Sequence, residues 1–72
     1  METIDEIGKQ IKLERKKRGL SQEGLAMKAE IDRAYMSSIE QCQRNISIRM
    51  LYQITSKGLD MTMVEFFQSM NL

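Results

Sequence analysis

Residues 21–41 read SQEGLAMKAEIDRAYMSSIEQ, and the fold turns on where this stretch breaks. Ser21 suits a helix N-cap, because its hydroxyl can accept one of the backbone N–H groups that a first turn leaves unpaired. Leu25, Ala26 and Ala29 then fall on one side of a short helix over 22–29. The two alanines on that side let another helix approach closely. Asp32 offers a second N-cap, and a helix over 33–41 follows. Only Glu30, Ile31 and Asp32 separate the two. Two short helices joined so tightly predict a helix-turn-helix unit.

Upstream, a helix is expected over 4–18. Thr3 and Glu6 have the spacing of a capping box, and Ile4, Ile7 and Ile11 share one face. Lys16, Lys17 and Arg18 put cations on the last turn, where they suit the helix dipole, and Gly19 supplies the stop. Downstream, a helix over 48–57 runs from a Ser47 cap to Gly58 with the stripe Ile48, Leu51, Tyr52 and Thr55. A last helix over 63–70 repeats the capping-box spacing at Thr62 and Glu65, with Met63, Phe66, Phe67 and Met70 inward. The reading is one all-α domain of five helices across residues 1–72.

Composition removes several functions. The chain has no histidine and a single cysteine, Cys42, so neither a zinc site nor His-based catalysis is expected. No metal, cofactor or small-molecule effector is expected in a chain of 72 residues. No Gly-rich phosphate loop and no catalytic-looking pair of carboxylates is evident, so the chain reads as a non-enzyme. No apolar run approaches the ~20 residues that span a bilayer, and METIDEIGKQ lacks a signal-peptide core. A cytoplasmic protein without a membrane partner is the expectation. Lys and Arg total 11 against 10 Asp and Glu, so net charge alone does not point to nucleic acid.

The positions of the charges say more. Arg15 lies on the apolar face of the first helix, with Ile4 and Ile11. A buried arginine needs an anion. Glu40 is the one acid on the mostly apolar face of the third helix, beside Met36 and Ile39, which predicts a structural Arg15–Glu40 ion pair. The alternative is an Arg15 whose stem packs while its head reaches water.

The opposite side of the third helix carries Arg33, Ala34, Ser37, Ser38 and Gln41. Small residues let a helix axis approach base edges, arginine pairs bidentately with guanine, and glutamine does so with adenine. A merely solvated face is the alternative, although such a face more often carries Lys and Glu. Ser21 and Gln22, at the start of the second helix, are placed to meet a phosphate, and Arg44 and Asn45 to clamp a flanking one. Double-stranded DNA is the partner these groups suit. Met50, Ile54, Met61, Val64 and Leu72 are apolar residues left over by the predicted stripes, and they suggest a homodimer interface. The alternative is that they complete a small core.

From Ile7 to Phe67 the chain resembles the Cro/repressor-type (XRE-like) helix-turn-helix family. The cue is residues 15–48, RKKRGLSQEGLAMKAEIDRAYMSSIEQCQRNISI, in which Arg15, Gly19, Ser21, Gln22, Leu25, Ala26, Ile31, Ile39, Glu40 and Asn45 fall at the family spacing. Within that family it looks most like the controller proteins of restriction–modification systems. The resemblance implies a dimer that binds pseudo-palindromic operators and regulates its own and the endonuclease gene. It implies that Gln22 contacts phosphate, that Arg33, Ala34, Ser37, Ser38 and Gln41 face the groove, and that Tyr35, Arg44 and Asn45 grip the backbone. It also supports the Arg15–Glu40 pair. The chain departs from the pattern at Glu30 and Cys42, where glycine is usual, at Ala34, Gln41 and Gly24, and by one extra residue near Ser56–Lys57. Other readings are a phage-type repressor, the antitoxin of a toxin–antitoxin pair, or an interaction module that kept the fold and lost DNA binding.

Overall fold

The computed structural model describes residues 3–70, and side chains from Glu6 onward. The helices are α1 (Thr3–Lys17), α2 (Gln22–Ala29), α3 (Arg33–Glu40), α4 (Ile48–Gln53) and α5 (Met63–Ser69). A π-helical turn, Ile54–Gly58, continues α4. The expected capping box at Thr3 and the inward face of Ile4 lie outside the described side chains. Ser21, Asp32, Ser47 and Thr62 each cap a helix by accepting a backbone N–H, and Thr62 with Glu65 completes a capping box.

The helices close around Ile7, Ile11, Leu25, Ala26, Ala29, Met36, Ile39, Leu51, Ile54, Leu59 and Phe66. The first three helices end alike. A residue one or two places past each end is left-handed: Gly19 at φ 68°, Glu30 at 60° and Cys42 at 61°. The next N–H then reaches back five residues: Leu20 to Arg15, Ile31 to Ala26, and Gln43 to Ser38. This is the Schellman closure, which a glycine adopts without strain and a side chain adopts at ~1 kcal/mol.

The fourth helix departs from expectation. Its regular part ends at Gln53, and Leu59 N–H bonds Ile54 C=O, the longer loop of a π-turn. The π-turn takes in Ser56 and Lys57, the place where the resemblance put one extra residue. The buried arc is Leu51, Ile54, Thr55 and Gly58. Tyr52 and Ile48, expected inward, are 60% and 77% exposed, and Ile54, expected at a dimer interface, is fully buried. The cause is the approach of Gly58 to α2. A Cβ on Gly58 would lie 2.6 Å from Leu25 Cδ1 and 3.3 Å from Ala29 Cβ. Leu25 is wholly buried and has nowhere to retreat. Gly58→Ala should therefore lower unfolding free energy by about 1–3 kcal/mol, despite alanine's better helix propensity. Urea denaturation checks this, and an unchanged midpoint would contradict the close approach.

A second polar cluster closes α1 onto the end of the π-turn. Glu14, 3% exposed, accepts from Arg18 Nη1 at 2.7 Å and from Gln10 Nε2 at 2.8 Å, with Lys17 Nζ at 3.4 Å. Arg18 Nε also donates to Leu59 C=O at 2.9 Å. Burial pushes the Glu14 carboxyl up, but the Arg18 hydrogen bond, the Lys17 charge and the Gln10 amide outweigh it and hold the group below its ordinary value. A depressed folded value means stabilisation that is complete above the unfolded carboxyl range and lost as pH falls through the folded one. Between about pH 5 and pH 3 the wild type should thus lose more stability than Glu14→Gln. Parallel acid-dependent melts of the two proteins measure the difference; equal slopes would count against the cluster.

Candidate nucleic-acid interface

The second and third helices are locked to the first by one buried group. Arg15 Nε donates to Glu40 Oε2 at 2.7 Å, and Arg15 Nη2 to Glu40 Oε1 at 2.9 Å. Their side chains are 10% and 2% exposed. The two-pronged geometry is the strongest form of such a pair. Arg15 Nη1 donates to Leu20 C=O at 2.8 Å, tying in the turn that precedes α2. Gln22 Nε2 adds a third bond to the carboxylate, meeting Oε1 at 3.0 Å.

With Glu40 turned inward, the other side of α3 faces out. Arg33, Ala34 and Gln41 are exposed, and Ser37 and Ser38 are half-buried. Arg33 makes no hydrogen bond or ion pair with the described residues. Gln22, Arg33, Ala34 and Ser37 line a shallow cleft of about 320 Å³ where α2 meets α3. Gln41 Nε2 donates to Ser37 Oγ at 3.1 Å. Ser38 is engaged locally: its hydroxyl donates to Tyr35 C=O at 2.8 Å and accepts from Arg44 Nε at 3.1 Å. The Arg44 guanidinium also lies over the Tyr35 ring, 4.8 Å from its centre. Arg44 is thereby held at the C-terminal end of α3 by a cation–π contact and a hydrogen bond. Asn45 is exposed beside it. Ser21, also exposed, spends its hydroxyl on Gly24 N–H at 2.9 Å.

The arrangement offers cations at both ends of a small-residue helix face, with amides between them. Such a face can pair with base edges while its ends meet phosphates. Among the described residues no group of His, Cys, Asp or Glu is arranged to hold a metal ion.

A second exposed surface, with no residue in common with the first, lies between α4 and α5. Tyr52, Ser56, Asp60, Met61, Thr62, Met63, Val64 and Glu65 line an open, mainly apolar groove of about 540 Å³. Val64 is 66% exposed at its rim. Met61 and Met50 are half-buried against the core, and Leu72 lies outside the described residues. Ile48 and Tyr52 are apolar surface that sequence reasoning placed in the core.

Comparison with known proteins adds four findings. The model of the family described as Helix-turn-helix matches residues 11–65. The control protein C.MunI of a Mycoplasma species is 46% identical over 56 residues, covering 78% of this chain and 74% of that one. The fold superposes on wild-type restriction–modification controller protein C.Esp1396I with a TM-score of 0.89 at 38% identity, covering 94% of this chain and 87% of that one. It superposes on the C.Esp1396I tetramer in complex with its natural 35-base-pair operator with a TM-score of 0.90 at 37% identity, covering 94% and 88%.

Proposed function

The chain belongs to the helix-turn-helix family, among the restriction–modification controller proteins, and from that premise we propose that it is a sequence-specific, DNA-binding regulator of transcription. It acts as a homodimer on a pseudo-palindromic operator and controls its own gene and that of the companion endonuclease. The observation that carries the reading is the outward face of α3, with Arg33 free at its head while Glu40 is anchored inside. Arg33, Ala34, Ser37 and Gln41 approach the bases. Ser38 serves that face indirectly, by holding Arg44. Ser21, Gln22, Tyr35, Arg44 and Asn45 contact the sugar–phosphate backbone.

The tetramer–operator complex of C.Esp1396I supports self-association on DNA. In this chain the dimer forms through the α4–α5 groove, with Tyr52, Met61 and Val64 at its centre and Ile48 and Met50 beside it. Two recognition helices then stand about 34 Å apart, one turn of duplex. Regulation follows protein concentration, through dimerisation and operator filling. Helix-turn-helix relatives of this kind are DNA-binding regulators, and this chain carries out no catalysis of its own. No described helix is long and apolar enough to cross a membrane. The protein works in the cytoplasm, where its DNA partner is.

A footprint on the DNA upstream of its own gene tests the reading. The expected result is two related half-sites centred one helical turn apart, protected cooperatively. Absence of any protection at low ionic strength would end the proposal.

A further inference from the structure

Gln22 sits at the first position of α2, half-buried, with its amide nitrogen on a carboxylate oxygen that already receives Arg15. An ionised carboxylate only accepts hydrogen bonds, so the amide cannot reverse its ends. Its NH2 group must face Glu40. One N–H is spent there, and the second is left for another acceptor. A phosphate oxygen is also an acceptor only, and suits that remaining N–H.

We propose that Glu40 is a positioning residue for DNA binding: it fixes the Gln22 amide in the one orientation that presents a spare N–H to a backbone phosphate. The inference rests on the DNA-binding reading and adds a specific coupling to it. The buried pair joins four places: the end of α1 at Arg15, the turn at Leu20, the start of α2 at Gln22, and the end of α3 at Glu40. A group that holds the fold together therefore also sets a contact at its surface. Without the carboxylate, the Gln22 amide is free to rotate and to offer its oxygen, which a phosphate repels.

The test is a double-mutant cycle of Gln22→Ala and Glu40→Gln, read as affinity for a fluorescein-labelled random-sequence duplex at low salt. Affinity and circular dichroism are measured at the same low temperature, where the dichroism establishes that each variant is folded. In the wild-type background Gln22→Ala should weaken binding about tenfold, as expected for a hydrogen bond to a charged group. In the Glu40→Gln background the same change should cost less than about twofold. Independent, multiplying effects would overturn the inference and leave the regulator reading intact. A wild-type protein that binds no duplex would overturn that reading itself.

A second measurement does not depend on variants that fold. In the free wild-type protein, the one Gln22 side-chain amide proton that meets Glu40 should exchange with solvent about tenfold more slowly than the amide protons of exposed Gln43. Equal rates would show that Glu40 does not hold the amide, and would overturn the proposal.

Discussion

Glu40→Gln should lower the unfolding free energy by about 3–5 kcal/mol, the usual loss when one partner of a buried ion pair is removed. Arg15 would keep its charge in a site where little water reaches it. A domain of 72 residues has only about 4–11 kcal/mol in all, so the variant should be partly unfolded at ambient temperature. The pair itself is not the whole source of this loss. Replacing both partners with apolar residues of similar size, Arg15→Met with Glu40→Leu, should recover most of the stability. The Gln22 amide would then turn to solvent, which its half-buried position allows. Chemical denaturation of the single and double variants decides the matter. An unchanged midpoint for Glu40→Gln would mean that Arg15 is satisfied elsewhere.

Arg33→Ala should weaken operator binding by roughly 1–3 kcal/mol, or about 5- to 150-fold, and leave binding to random duplex nearly unchanged. Arg33 is exposed and without a partner among the described residues, so its loss should not disturb the fold. Arg44→Ala makes the contrast. Arg44 stands over Tyr35, away from the cleft of Gln22, Arg33, Ala34 and Ser37. Its removal should weaken operator and random DNA alike and reduce the salt slope by about one. Titrations of both variants on both duplexes at several salt concentrations separate the roles. Equal losses on the two duplexes for Arg33→Ala would remove it from base reading.

The part of the fold written in local chemistry was legible in the sequence. Ser21, Asp32, Ser47 and Thr62 announced their helices because a capping hydroxyl or carboxylate acts on neighbours two or three residues away. Arg15 and Glu40 were legible for a different reason: each is intolerable on an apolar face without the other. What escaped depended on packing between distant segments. Tyr52 and Ile54 exchange places relative to the simple stripe because Gly58 lets the π-turn press onto Leu25. No periodicity within α4 records that contact. Glu14 escaped similarly. Nothing in the sequence singled it out, and only the fold brings Leu59 C=O to the Arg18 that covers it. At the site, Ser38 looked like a groove residue, whereas its hydroxyl is taken up by Arg44 and by the helix backbone.

The close contact between the π-turn and α2 has a mechanical consequence. At Gly58 the bare backbone of the π-turn lies against the fully buried Leu25 side chain and the Ala29 methyl, which leaves the junction little slack, and Gln53 pins it by donating to Ala29 and Glu30 C=O. The surface that would join two copies is thus coupled stiffly to the pair of helices that would read DNA. In such a dimer, an operator with slightly misplaced half-sites cannot be accommodated by a swivel inside the protein. The duplex must bend or twist instead, and base steps that are never touched acquire an influence on affinity through their stiffness.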